Sequence, residues 1–439
     1  MQTTTNTLEH HWLPFTGNRD FKEDPRLMVR AEGGYYWNHK GERIVDGASG
    51  LFCCAAGHGR KEISQAVARQ LEEMDFTPHF QVASPSSFEL ASKVSALTPG
   101  TLNRIFFTNS GSESVDTALK IAMAYHGARG DGQRLRFVSR ERAYHGVNIG
   151  GTSLSGMVKN RETFGAVMPY ISHMRHTHLP EHRFTRGQPE TGAELADDLE
   201  RIVQQFGASN IAACFVEPVA GSTGTLVPPK GYLQRLREIC DRHGILLVFD
   251  EVITGFGRMG APFGAQAFGV TPDIITMAKA ITNGTQPMGA VAVSEAIYDT
   301  IVDAAPDKAI ELFHGYTYSA HPAACAAGIA ALDIYASEGL FERAHAISGY
   351  FQDRMFELQD LPGVRDIRCY GLMAGIDVTP AAVPGQRGTD LMKKMFHSGL
   401  HVKFTGDAAI IAPYLGTDED HIDAIIDTLR TVLGDVPAP

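Results

Sequence analysis

The sequence has no long apolar run: no stretch reaches the roughly 20 residues that span a bilayer, so a membrane is not an expected partner. It also has no basic block or arginine-rich stripe. With 39 basic against 50 acidic residues and a net charge of −11, it lacks the electrostatic footprint of a nucleic-acid binder. Cysteine is scarce, with six in 439 residues. Cys53 and Cys54 are adjacent, but no CxxC spacing or disulfide framework occurs, which points to reduced, mostly buried thiols in a cytoplasmic protein. The first ten residues are polar and show no charged-then-apolar leader. Repeats and low-complexity tracts are absent. What remains is 44% apolar and 20% charged, the composition of a globular enzyme too long for one ordinary core.

The middle of the chain alternates short apolar runs with amphipathic patterns. Arg104–Thr108, Leu135–Val138, Ile211–Val216, Ile245–Phe249, Ile274–Met277 and Ala290–Val293 read as buried strands, and continuous apolar strands fit a mainly parallel sheet covered on both faces. Val115, Ala118, Leu119, Ala122 and Met123 recur at helical spacing. Tyr232–His243 reads as a helix stopped by Gly244. Alternating segments surround Gly34–Asp46. Helices are expected at Ala326–Tyr335 and Gly339–Leu358, then strands at Val364–Arg368, Leu372–Asp377 and Leu400–Phe404, and a helix near Glu419–Leu433. The expected organisation is an N-terminal segment over 1–60, a large α/β domain over 61–324 and a smaller α+β domain over 325–439.

Polar residues follow several of these strands. Ser110, Glu217, Asp250 and Lys279 each stand where a parallel sheet presents the carboxyl ends of its strands, the edge at which ligands bind. Singly, each reads equally well as a solvated loop residue. The segment Thr108-Asn109-Ser110-Gly111-Ser112-Glu113 can close backbone N–H groups and hydroxyls around a phosphate at a helix start. Its alternative is an ordinary N-cap, and both can hold together. Asp250, ending an apolar strand, needs a cationic or N–H partner, which a pyridinium nitrogen supplies. A desolvated Lys279 has a lowered pKa and can attack an aldehyde. Tyr144-His145-Gly146 could stack on a flat ring, and the hydroxyl-rich turn Gly315–Pro322 could reach a phosphate.

Two features point elsewhere. Gly255–Gly260 matches GxGxxG, but it does not directly follow a strand, and Ala261-Pro262-Phe263-Gly264 blocks the helix a dinucleotide fold requires. His173, His176, His178 and His182 lack a partner cysteine or HExxH frame and read as a solvated loop, with no metal expected.

Taken together, these residues resemble the class III, fold-type I, pyridoxal-phosphate-dependent aminotransferases, and most closely the ω-amino acid–pyruvate (β-alanine–pyruvate) branch. The carrying motifs are Trp12–Phe15, Phe107–Glu113, Tyr144–Asn148, Asp250–Arg258, Ala278-Lys279, Thr282–Gly284 and His314–Ser319, in that order. The resemblance implies a seven-stranded, mainly parallel sheet, pyridoxal 5′-phosphate as cofactor, and a homodimer or dimer of dimers with shared sites. It makes Lys279 the Schiff-base lysine and Asp250 the partner of the pyridine nitrogen. Ser110, Gly111 and Ser112 would hold the phosphate, with Thr317 reaching the phosphate of the neighbouring subunit. Tyr144 and Val252 would flank the ring, with His145 and the supporting acid Glu217 beside it.

On the substrate side the resemblance implies Phe15, Phe52, Tyr144 and Lys403. Ser222 stands where ornithine- and GABA-type relatives carry a glutamate, and Phe52 replaces a usual tryptophan. Lys403 takes the position of a mobile arginine, in Val402-Lys403-Phe404-Thr405-Gly406-Asp407. Its alternative is a lysine on the solvent face of an edge strand. The implied substrates are a small-molecule amine donor and a keto-acid acceptor, pyruvate, in a ping-pong exchange. Competing readings keep the cofactor but change the reaction to that of an aminomutase, decarboxylase or epimerase, or keep only binding, as in a cofactor-dependent regulator.

Overall fold

The computed structural model describes residues 8–165 and 168–438; the first seven residues of the polar N-terminal stretch lie outside them. The apolar runs assemble into one seven-stranded sheet. Its spatial order is Arg104–Thr108, Gly289–Val293, Ile274–Met277, Leu246–Asp250, Ile211–Val216, Arg136–Arg140 and Ile171–Met174. Gly289–Val293 runs antiparallel to both of its neighbours, and the remaining paired strands are parallel. Ile211–Val216 and Leu246–Asp250 are buried along their whole length. Their side chains alternate between two cores: Cys214, Val216, Leu247 and Phe249 enter one, and Ala213, Phe215, Leu246 and Val248 the other. That alternation is what a sheet covered on both faces requires.

The helix Gly111–Ala128 packs Val115, Ala118, Leu119 and Ala122 into the second core. Tyr232–His243 is helical, and Gly244 ends it in the left-handed conformation at φ 60°, as a glycine just past a helix does readily.

Several boundaries differ from expectation. The run beginning at Leu135 starts one residue later, and Asp250 belongs to its strand as the last residue. The edge strand Ile171–Met174 has no apolar signature because three of its four residues are only half-buried. The single strand expected over Leu400–Phe404 is two. Leu400–His401 pairs in parallel with Arg43–Asp46, completing a four-stranded sheet with Met28–Glu32 and Tyr35–Asn38. Lys403–Thr405 crosses to another sheet, at the edge beside Ala408–Ile411, with Met373–Val378 and Val364–Tyr370 beyond. The helices Leu340–Phe356 and Glu419–Leu433 pack on these smaller sheets, whereas Pro322–Ser337 packs on the helices Lys61–Glu73 and Pro85–Ser95 and on the turn Lys279–Thr282.

The GxGxxG segment serves packing. Gly257 and Gly260 take φ +92° and +76°, and the resulting turns carry Arg258 into the interior. Its guanidinium donates to the carbonyls of Leu372, at 3.1 Å, and of Pro413, and to the Ser49 hydroxyl at 3.1 Å. Burial lowers its pKa to about 10. Asp273 is likewise structural: its carboxylate accepts from the Leu247 N–H at 2.7 Å and from Arg237 at 2.8 Å. Arg258→Leu should leave three buried acceptors without their donor and lower stability by at least about 2 kcal/mol. Denaturant unfolding of this variant beside the parent checks this; an unchanged midpoint would contradict it.

Candidate active site

The parallel register pairs Asp250 with Thr276, so the carboxylate ends one strand while Lys279 lies just past the end of its neighbour. Asp250 is buried. Its carboxylate accepts from the Thr276 hydroxyl and the Val252 N–H, both at 3.2 Å, and meets His145 Nδ1 at 2.8 Å. The other ring nitrogen of His145 meets the Ser139 hydroxyl at 3.0 Å. Thr276 and Ser139 escaped sequence reading, because a hydroxyl inside an apolar strand gives no signal until its neighbour across the sheet is known.

Lys279 takes φ 52°, a left-handed backbone that is uncommon for a side-chain-bearing residue and often marks a functional position. Burial holds its amine below the ordinary lysine value against the opposing pull of Cys53, Asp250 and Glu217. Glu217 is buried, accepting from the Tyr144 N–H at 3.0 Å and the Gly221 N–H at 3.1 Å. Burial, helped by the Asp250 charge, pushes its carboxyl up to about 7. Burial also raises the Tyr144 phenol.

Gly111, Ser112, Tyr144, His145, Glu217, Asp250, Val252 and Lys279 line one inner cavity of about 110 Å³, together with Gly146, Ile253 and Ala278. Its walls leave no room for larger residues. A Cβ on Gly111 would stand 2.9 Å from Val252, and one on Gly146 2.5 Å from the Ser112 hydroxyl. Ser112 Oγ accepts from the Val147 N–H at 3.0 Å, which ties the tyrosine loop to the helix start. Ser110 does not line this cavity. It caps the helix, accepting from the Glu113 N–H at 3.2 Å, so at that position the capping role is the one observed.

Lys279 and Tyr144 also border a larger outer cavity of about 990 Å³, which Phe15, Phe52, Ser222 and Lys403 line as well. Phe52 is buried, whereas Phe15 is 78% exposed. Lys403 is half-buried. It forms no ion pair or side-chain hydrogen bond among the described residues, and burial lowers its pKa. The solvent-face alternative is therefore not what the structure has: Lys403 is on an edge strand but borders the cavity. Thr317 is not brought to this site. It is exposed in a separate turn, whose His314 and Tyr316 bond to Thr117 at 2.8 and 3.3 Å.

The histidine segment is not a solvated loop. His182 is buried against Thr191 at 3.2 Å, and His173 meets the Leu154 carbonyl at 3.0 Å. His178 does gather with Asp366 and Asp377, all ligand atoms lying within 4.8 Å. Arg368 already binds both carboxylates, however, so the cationic charge there is a guanidinium.

The site fits a phosphorylated pyridine aldehyde. A glycine-walled helix start suits a phosphate, a buried carboxylate suits a ring nitrogen, and a desolvated amine suits an aldehyde.

Comparison with known proteins agrees with this chemistry. The profile of the family described as "Aminotransferase class-III" matches residues 17–433. The chain is 54% identical to an omega-aminotransferase of Caulobacter vibrioides, covering 98% of both chains. It is 48% identical to a beta-alanine–pyruvate aminotransferase of Pseudomonas aeruginosa, covering 98% of this chain and 96% of the relative. Among solved structures, it superposes on the omega transaminase of Pseudomonas jessenii in complex with PMP with a TM-score of 0.92. The identity there is 30%, with 98% of this chain and 96% of the other covered. The chain belongs to the class III aminotransferases, enzymes that work with pyridoxal 5′-phosphate.

Proposed function

We propose that this aminotransferase moves an amino group from an ω-amino acid or primary amine of the β-alanine type to pyruvate, releasing alanine. The observation that carries this reading is the junction of the two cavities at Lys279. An inner chamber is floored by Asp250, and an outer one holds a cation, Lys403, that has no partner among the described residues. The names of the relatives at 48–54% identity support the same substrate pair.

Pyridoxal 5′-phosphate supplies an aldehyde that takes up the amino group and a ring that spreads the charge of a carbanion. Lys279 would hold that aldehyde, and its amine, when free, would carry the proton from the donor carbon as base and then as acid. Asp250, held by Thr276 and His145, would face the ring nitrogen. Tyr144 and Val252 would flank the ring, Glu217 fixes the tyrosine loop, and Gly111, Ser112 and the helix N-terminus would receive the phosphate with Ser110 capping the turn. Phe15 and Phe52 bound the substrate space, and Lys403 offers a mobile point charge to a carboxylate. Donor and acceptor occupy the same space in turn, which gives ping-pong kinetics.

The enzyme works as a homodimer or dimer of dimers in the cytoplasm, with Thr317 of the partner subunit completing the phosphate site. An exposed aromatic cluster around that turn supports this. Phe76, Phe80 and Tyr318 are 40%, 54% and 60% exposed, and the Phe76 and Tyr318 rings are 5.9 Å apart. Isolated monomers rarely leave such a patch to water. Residues 61–324 form the cofactor-holding unit and 325–439 the smaller one, with 1–60 docked on the latter. The pairing of Arg43–Asp46 with Leu400–His401 supports that division.

Three outcomes are expected. Lys279→Ala should still take up cofactor but lose the visible absorbance of its lysine-bound form and at least about 10²–10⁴-fold in turnover; near-parental transamination would overturn the role of Lys279.

Glu217 should make the cofactor-free protein pH-sensitive. With its carboxyl raised to about 7 in the folded state, the folded chain binds more protons than the unfolded one between the ordinary carboxyl value and that pH. Its contribution to stability therefore falls as pH rises through the window. Glu217→Gln should flatten that part of the stability profile in denaturant unfolding, and an unaltered slope would contradict the reading.

Phe80→Asp should weaken subunit association and release cofactor together, as followed by sedimentation and absorbance. A parent enzyme that is fully active as a monomer would rule out the shared site.

A further inference from the structure

Lys403 is not the outer cavity's sole cation without a carboxylate partner. Arg142 lines the same wall, two residues before Tyr144. It is half-buried and forms no ion pair among the described residues; its one side-chain hydrogen bond runs to the Thr223 carbonyl at 3.4 Å. Burial lowers its pKa, the mark of a guanidinium taken from water without full compensation, and buried charges are ordinarily paired.

The nearest acidic groups do not supply the pair. Asp377 holds Arg368 through two contacts, at 2.7 and 2.9 Å, and Asp366 is bound to the same guanidinium. Arg142 is also fixed in place. Its backbone takes φ 57°, and its N–H donates to the Gly156 carbonyl at 3.1 Å.

Thr223 beside it is buried among the cavity's lining residues, and its carbonyl holds the guanidinium. A guanidinium on the wall of a cavity, with no ion pair among the described residues, is complementary to a carboxylate, whose two oxygens accept several hydrogen bonds.

We propose that Arg142 forms the fixed seat for the substrate carboxylate in the outer cavity, with Lys403 as its mobile counter-charge. The inference rests on the reading of this chain as an aminotransferase that takes carboxylate-bearing substrates. It goes further in assigning carboxylate selectivity to a residue on the tyrosine loop. The carboxylate of pyruvate or of an ω-amino acid accepts from the guanidinium fork. That contact directs the opposite end of the substrate toward Lys279. A neutral aldehyde or amine makes no such contact.

The test uses holoenzyme and two readouts. One is the ratio of kcat/KM for pyruvate to kcat/KM for butanal, with propylamine as donor; the other is propionate binding by calorimetry, which needs no turnover. Arg142→Gln should lower the ratio and weaken propionate binding by about tenfold or more. Arg142→Lys should recover part of both. Arg365→Gln, which removes the same charge from the same cavity, should change both much less.

Equal losses in Arg142→Gln and Arg365→Gln would overturn the seat in favour of general electrostatic attraction. A parent that turns over pyruvate while Arg142→Gln leaves both readouts unmoved would overturn the seat and leave the aminotransferase reading intact. A parent inert toward pyruvate, with propionate binding still dependent on Arg142, would keep the seat and remove the proposed acceptor.

Discussion

The register between Leu246–Asp250 and Ile274–Met277 is the constraint on which the site depends. Pairing Asp250 with Thr276 brings a buried carboxylate beside a hydroxyl that can donate to it, and Lys279 follows three residues later at the same sheet edge. A slip of one residue would turn Asp250 toward the opposite face. The continuous burial of both strands resists that slip, since each apolar side chain already has a place in one of the two cores. The chemistry therefore inherits its precision from apolar packing.

Charge in the rest of the site is arranged around that fixed pair. Asp250 is held by Thr276, the Val252 N–H and His145, so its negative charge is oriented and not neutralised by a lysine or arginine. Glu217, just past the end of the neighbouring strand Ile211–Val216, is satisfied by backbone N–H groups of the tyrosine loop and of Gly221. Farther out, Arg368 occupies Asp366 and Asp377. That leaves Arg142, Arg183, Arg365 and Lys403 in the outer chamber without an ion pair among the described residues, and a chamber so charged favours anionic over neutral visitors. Strain adds to this order: Lys279 and Arg142 both hold left-handed backbones, which persist only where surrounding structure over-determines them.

The sequence by itself determined the sheet, its two-sided burial and the residues at its carboxyl edge. Ile211–Val216 and Ile274–Met277 are continuous apolar runs, and continuous runs leave few alternatives to a buried strand. The motifs around Ser110, Tyr144, Asp250 and Lys279 are local in the chain, so they too could be read there. Strand direction could not, because hydropathy carries no sign along the chain; the antiparallel course of Gly289–Val293 had no signature. Ile171–Met174, half-buried at an edge, had none either. The break at Val402, which gives Leu400–His401 to one sheet and Lys403–Thr405 to another, followed from neighbours distant in sequence. Tertiary structure alone decided that Thr276 would serve Asp250 and that Arg368 would take the acidic pair. It also left Arg142 on the cavity wall without an ion pair among the described residues. Each of these depends on which group stands within about 3 Å of another, and segments far apart in the chain reach that distance only when the cores on both sides of the sheet have closed.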